Sequence, residues 1–369
     1  MKRRVLFGLV ALITSGLVFV GVSYAKPFTP QIKIGVLTTS SGPLYFAGAI
    51  QKAATKMAID DLQANGVKAS AFFEDVISQE PKVAFKNLRR ADVDVVLGSI
   101  DSASTKIVMQ TDERDPLPVL APSSIGDDVD GSIDGTNWLF RLSTSISQDN
   151  NALVELIAKS KNPSVVIVSG TDGYSLAAKR TIAFGLGLRG VTNVGVYSVN
   201  DISSIRKTKP DVLVLASMEE SIGFLNNMSD WVDGIGKVYL LPGNLANYSM
   251  YSWAADLAGA EAIVPDALAN SSFRARLADE MGKPYLLNSP NSPIFTLAKK
   301  VYDSVMLAGL SFRAGDSHIA FRNRLAQAKS EGQLLFSSQG YYKAQKYTIF
   351  RYGIGGLFAP GAVFEPNSP

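Results

Sequence analysis

Short apolar runs alternate along this chain with longer stretches in which apolar residues recur every three or four positions. The first such unit spans residues 32–65. Residues 32–37 (IKIGVL) read as a buried strand and residues 38–43 (TTSSGP) as a hydroxyl-rich loop. From about Ala47 the pattern predicts a helix, because Ile50, Ala53, Ala54, Met57, Ala58 and Leu62 fall on one helical face. Residues 67–75 then read as a strand, 81–92 as a helix with Pro81 in its first turn, and 93–100 (VDVVLGSI) as a continuous apolar strand. That strand runs into Asp101-Ser102-Ala103-Ser104-Thr105, where Asp101 or Ser102 is placed to cap a helix reaching about Gln110. Residues 118–122 make a further short strand, followed by Ser123-Ser124. Strands and helices in this rhythm predict a parallel sheet built from right-handed βαβ units.

The character of the chain changes near residues 138–143, and the polar stretch 144–150 predicts a crossover to a second unit. There the helix 151–161, the strand 165–169, the loop 170–174 and the helix 175–186 repeat the alternation. Strands 194–199, 212–216, 238–241 and 260–264 continue it up to a second crossover at Pro265-Asp266. Residues 273–281, 294–310 and 319–330 read as helices. Residues 341–342 and 347–352 read as an antiparallel pair, and Gly355-Gly356 with the prolines beyond as a tail. A chain of 369 residues is too long for one ordinary core. The predicted fold class is therefore α/β, with two doubly wound parallel-sheet lobes joined by a multi-strand hinge. Each lobe is discontinuous: residues 26–144 with 267–340, and residues 145–266 with 341–369.

Composition fits this picture, at 46% hydrophobic and 19% charged residues. The first 25 residues stand apart. Lys2, Arg3 and Arg4 precede a mostly apolar run, and Ser23-Tyr24-Ala25 fits a small-x-small cleavage site, so a secretory signal peptide cut after Ala25 and a periplasmic location are expected. That segment holds three of the 36 basic residues and no acidic one, which leaves 33 of each in the remainder. The apparent basicity belongs to the leader and carries no argument for nucleic acid. The absence of cysteine means there is no disulfide framework, so stability comes from the core.

Catalytic and metal chemistry find little support. His318 is the only histidine, which with no cysteine argues against His/Cys metal sites and histidine-dependent triads. Asp60-Asp61, Asp127-Asp128 and Glu219-Glu220 are sequence neighbours, which on a helix do not face each other, and read as solvated surface. Gly185-Leu186-Gly187-Leu188-Arg189-Gly190 matches G-x-G-x-x-G, but a helix precedes it and a strand follows. That order reverses the dinucleotide arrangement, and the segment reads as a glycine-rich helix end. No enzyme, cofactor or metal is expected.

What remains is a set of hydroxyl and aromatic residues at predicted strand ends. These are Ser40, Ser41, Ser102, Ser104 and Ser123 in the first lobe, and Tyr174, Met218, Gly243 and Asn244 in the second. Each serine alone also fits a helix cap. Together they suit a ligand: hydroxyls and N–H groups at helix starts favour an anion, and Tyr45, Phe46, Tyr174 and Met218 suit an apolar moiety.

On Lys33 to Leu37 with Ser41-Gly42-Pro43, Gln79-Glu80-Pro81, Val95 to Gly98 with Ser102 to Thr105, Pro118 to Ser123, Arg141, Val165 to Tyr174, and Pro242 with Ala246-Asn247, the chain resembles a known family. It is similar to the type I periplasmic binding proteins of the branched-chain amino-acid (Leu/Ile/Val) group that serve ABC importers. The resemblance implies that Ser102 binds a ligand carboxylate, that Ser123 offers a backbone group to the ligand's polar end, and that Tyr174 covers the ligand from the second lobe. Ser41, Ser104, Met218 and Gly243 complete the expected ligand-binding set. The chain departs from the pattern at Ile125, where the family has threonine, and at Met218, where it has an aromatic residue. It departs again at Gly243 and near Ile146, where acidic residues are expected, the first of them to hold an α-ammonium. An ammonium buried without its carboxylate costs several kcal/mol, so a carboxylate or amide without an ammonium is expected. The resemblance further implies a monomer that closes on its ligand by a hinge near Thr144, Pro265 and Gly340 and is read by a membrane permease. Two rivals stay open at this point: a sensor or adaptor of the same fold serving a chemoreceptor or kinase, and an interaction protein whose cleft no longer binds.

Overall fold

The computed structural model describes residues 31–217 except 43, 112–114, 124–125, 127–128, 130 and 134. Beyond these it describes 224, 235–241, 259–265, 269–288, 293–330, 333–337, 340, 342, 346–352 and 358–366. Residues 1–30, with the expected signal peptide, lie outside the described residues, as do Ile125, Met218, Gly243 and Asn244.

The opening unit is β1 (Gln31–Thr38), α1 (Tyr45–Ala64) and β2 (Lys68–Asp75). It continues through α2 (Pro81–Arg90), β3 (Val95–Leu97), α3 (Ser102–Met109) and β4 (Val119–Ala121). A small hairpin, β5 (Ser132–Ile133) and β6 (Thr136–Asn137), leads into β7 (Leu139–Arg141). The five strands β2-β1-β3-β4-β7 form one sheet, all parallel. β3, β4 and β7 are buried at every position, as parallel strands covered on both faces must be. Helix α1 approaches the end of β1 so closely that a Cβ on Gly48 would lie 2.0 Å from the Thr39 carbonyl oxygen. Alanine inside a helix normally gains about 0.5–1 kcal/mol over glycine. Here Gly48→Ala is instead expected to lower stability by roughly 1–3 kcal/mol, read as an earlier urea midpoint.

After β7 come α4 (Ile146–Ala158), β8 (Val165–Ser169), α5 (Gly173–Leu188), β9 (Val194–Ser198), α6 (Ile202–Thr208), β10 (Val212–Ala216), β11 (Lys237–Leu240) and β12 (Glu261–Pro265). Helix α4 starts earlier than the polar stretch 144–150 suggests. A capping box starts it: Ser145 Oγ accepts from the Gln148 N–H, and Gln148 Oε1 accepts from the Ser145 N–H. Helix α5 ends in the glycine-rich segment, with Gly190 at φ +77° just past it, in accord with a helix end rather than a phosphate loop.

Helices α7 (Ser271–Glu280), α8 (Pro293–Ser311) and α9 (His318–Ala326) follow, with a short 3-10 turn at Pro284–Asn288. A two-stranded ribbon, β13 (Lys329–Ser330) with β14 (Gln333–Leu334), precedes β15 (Tyr347–Tyr352) and β16 (Phe358–Phe364). The second sheet runs β16-β15-β12-β11-β10-β8-β9; it is parallel from β9 to β12 and antiparallel at β15 and β16. Two expectations are corrected here. Tyr347–Tyr352 pairs with β12 and β16, while Tyr342 bridges Phe336. The expected tail contains β16, an edge strand, the one kind of sheet position in which a proline such as Pro360 is commonly found.

The cores explain why the chain crosses back and forth. One cluster joins Ile32, Ile34 and Val36 of β1 and the buried face of α1 to Phe273, Leu277, Phe295, Val301, Val305 and Phe321 of α7–α9. Two others cover the faces of the second sheet, and Phe350 and Phe364 belong to them. The backbone therefore leaves the first core after β7, returns to it after β12, and leaves it again before β15.

Candidate functional site

Each sheet ends, at its carboxyl edge, in a helix capped the same way. At the end of β3, Asp101 accepts from the N–H groups of Ala103 (3.1 Å) and Ser104 (2.9 Å), and the Ser104 hydroxyl donates back at 2.5 Å. At the end of β8, Asp172 accepts from the Ser175 N–H (2.9 Å) and the Ser175 hydroxyl. Both helices thus read Asp-x-x-Ser, with aspartate at the N-cap. This settles the alternative between Asp101 and Ser102 as the cap and leaves Ser102 at the first helical position. Tyr174 occupies the second position of α5, half-buried against the core of the second sheet.

Around the first cap the predicted serines come together. Ser102 Oγ accepts from the Gly126 N–H at 3.2 Å, and no acceptor takes its own hydrogen among the described residues. The Ser123 hydroxyl lies 3.4 and 3.3 Å from the carbonyl oxygens of Ser99 and Ile100, and the Ser123 carbonyl accepts from the Ser143 hydroxyl. The loops after β3, β4 and β7 are thereby stitched into one surface. The buried Arg141 supports it: its guanidinium donates to the Val129 carbonyl at 2.5 Å, and its backbone N–H donates to the Gly340 carbonyl at 2.9 Å.

Ser41 sits apart from this group, between the ends of β1 and β2. Its hydroxyl donates to Asp75 at 3.3 Å, beside the Ser40 N–H at 3.0 Å. Burial raises the Asp75 pKa, but the N–H groups of Ile77 and Ser40 and the hydroxyls of Ser78 and Ser41 outweigh it and hold the carboxyl below its ordinary value. Met218 and Gly243 follow β10 and β11 and lie outside the described residues.

The sequence reading missed a buried polar cluster where the two cores meet. Asp149, in the first turn of α4, accepts from the Thr144 hydroxyl and from Tyr347 at the start of β15. Burial and the Asp149 charge push the Tyr347 hydroxyl far above its ordinary range. Lys300, on α8 of the first core, is 7% exposed and senses the same carboxylate. Burial drives its pKa down to about 8, only partly offset by Asp149. Residues from two crossovers and both cores therefore converge on Asp149. Among the described residues no group of three or more His, Cys, Asp or Glu is placed to hold a metal. His318 pairs with Asp115 at 3.0 Å on an exposed face.

Two α/β units, each with a mostly parallel sheet, traded across three crossovers, define a two-unit α/β fold of the kind that binds ligands outside its strand carboxyl ends. Residues 31–285 match the family model described as periplasmic binding protein, and the chain belongs to that family. Comparison with curated proteins returns no match.

Solved structures of type I periplasmic binding proteins share the fold. The branched-chain amino-acid transporter substrate-binding protein LivJ of Streptococcus pneumoniae, in complex with isoleucine, is 17% identical; the match covers 91% of this chain and 100% of that one at a TM-score of 0.73. The leucine-binding protein LivK of Thermotoga maritima is 16% identical over 91% of this chain and 99% of its own, also at 0.73. A solute-binding protein of an ABC transporter from R. palustris, in complex with benzoate, is 16% identical over 91% and 97% at 0.73. Among the described residues no helix is long and apolar enough to cross a membrane.

Proposed function

We propose that this chain is an extracytoplasmic solute-binding protein that holds a small carboxylate or amide between two lobes and presents its closed form to an ABC importer. The lobes are residues 26–144 with 267–340 and residues 145–266 with 341–369. The alternation of the two cores along the chain supports those boundaries. The leader ends at Ala25 and directs the protein to the periplasm, where it acts as a monomer. Closure turns on the crossovers near Thr144, Pro265 and Gly340.

The reading rests on Ser102. The α3 cap already engages the N–H groups of Ala103 and Ser104, so recognition of an anion at this end falls on the Ser102 hydroxyl and N–H. Ser123 lies beside it, Ser41 contributes from the neighbouring ends of β1 and β2, and Ser104 holds Asp101 in place. Tyr174 covers the ligand from the second lobe, and Met218 and Gly243, outside the described residues, complete the set. Isoleucine and benzoate, bound by two of the relatives, share a carboxylate; only isoleucine carries an ammonium. The resemblance places the acid that holds an α-ammonium where this chain has Gly243, and a second acid near the apolar Ile146, which favours ligands of the second kind.

A thermal-shift screen of amino acids, aliphatic and aromatic carboxylates and amides tests this. A ligand at 100 times its Kd adds about 2.7 kcal/mol to stability. A carboxylate or amide is expected to give the largest shift, and Ser102→Ala to abolish it. A largest shift from branched-chain amino acids would refute the argument from Gly243 and Ile146. A screen with no shift would favour the interaction-protein reading.

A further inference from the structure

Away from the strand ends, α1, the edge strand β2 and the turn after α7 line an open groove of about 450 Å³. It falls within the size range of small-molecule sites, roughly 300–1,000 Å³. Its apolar lining comes from Ala49, Ala53 and Ile59 of α1, Ala71 and Phe73 of β2, and Met281 just after α7. Phe73 is 40% exposed, a large aromatic face left open inside a concave surface. Positions 49 to 59 follow one side of α1, so the groove runs about 15 Å at 1.5 Å per helical residue.

The rim carries Lys52, Lys56 and Lys283 against a single acid, Glu280. Glu280 is already held by Lys56 at 2.7 and 2.9 Å. Lys52 is exposed and Lys283 half-buried, and neither has a carboxylate partner among the described residues. Lys283 Nζ lies 5.6 Å from the centroid of the Tyr285 ring, which fixes a cation beside the apolar floor.

We propose that this groove binds a free, single-chain amphiphile with an anionic head, of the fatty-acid class, its chain on the alanine floor and its head between Lys52 and Lys283. The nearly all-apolar walls distinguish this ligand from a peptide. A peptide laid there would bury backbone N–H and C=O groups against methyl groups, whereas a hydrocarbon chain has none to satisfy. The two unpaired lysines set the charge of the head. The inference is independent of the ligand held between the lobes.

Isothermal titration of the purified protein with dodecanoate, dodecyltrimethylammonium and dodecanol, each below its micelle concentration, tests the proposal. Dodecanoate is expected to bind one to one, and the cationic analogue not to bind. Lys52→Glu with Lys283→Glu, at an exposed and a half-buried position, is expected to weaken dodecanoate by about ten-fold or more. Ala49→Trp, which fills the groove from a half-buried position, is expected to abolish it. Equal binding of all three amphiphiles, dodecanoate binding that survives both sets of variants, or co-sedimentation with anionic vesicles in preference to free dodecanoate would each overturn it.

Discussion

Replacing Lys300 by methionine is expected to stabilise the protein by about 3 kcal/mol at pH 7. The stem of Lys300 packs inside the first core, and its ammonium is carried into an environment that lowers its pKa from 10.5 to about 8. A lysine whose folded pKa is depressed binds its proton less tightly when folded. Below about pH 8 both states are protonated and the full burial penalty is present. Between about pH 8 and 10.5 the unfolded chain keeps the proton that the folded chain gives up, so stability rises with pH. Methionine removes the charge and keeps most of the volume. Its advantage over the parent should therefore be constant up to about pH 8 and vanish towards pH 10.5. Measuring the difference between the two proteins cancels the opposite trend of Tyr347, whose raised pKa makes the folded state lose stability at high pH. Melting curves that stay parallel through this window would show that Lys300 is not charged in a dry site.

Asp149→Ala is expected to destabilise by roughly 3 kcal/mol, the range for breaking a buried charged network. The carboxylate is the acceptor for Thr144 and Tyr347 and the charge that partly offsets the burial of Lys300. Removing it orphans two buried donors and leaves the ammonium uncompensated. In the Lys300→Met background the loss should shrink by about 1 kcal/mol or more, because the charge it answers is gone. A double-mutant cycle in urea measures that coupling, and strict additivity would mean that the two residues do not sense each other. Because Thr144 and Tyr347 flank two crossovers, Asp149→Ala should, on the proposed hinge closure, also shift ligand affinity.

The alternation of strands and helices was legible because buried parallel strands such as residues 165–169 and 212–216 are continuous apolar runs that no surface element imitates. What misled lay where polar residues are buried. Residues 144–150 look like a solvated linker, yet Ser145, Asp149 and Asn150 are buried and α4 starts at Ile146. The Ser145–Gln148 spacing was the available signal for that start. Lys300 hides beside Lys299, which pairs with Asp303 one turn on and faces outward. Only the spacing of Thr296, Lys300 and Ser304, a polar stripe that the fold buries, separates the two lysines. Strand β16 was unreadable because Pro360 and nearby glycines mimic a tail, and its edge position removes the usual objection to proline. At the candidate site the clustering of Ser102, Ser104 and Ser123 was foreseeable from their place at strand ends. The division of labour between Asp101 as cap and Ser102 as free donor needed the hydrogen bonds themselves.

Calorimetric titration of the parent protein and Ser102→Ala with a small carboxylate such as benzoate, and in parallel with isoleucine, tests the central claim most directly. The account predicts that the carboxylate binds more tightly than isoleucine. It also predicts that Ser102→Ala weakens it by about ten-fold to a hundred-fold, as expected for a lost hydrogen bond to a charged group. Tighter binding of isoleucine, or carboxylate affinity unchanged in Ser102→Ala, would contradict it.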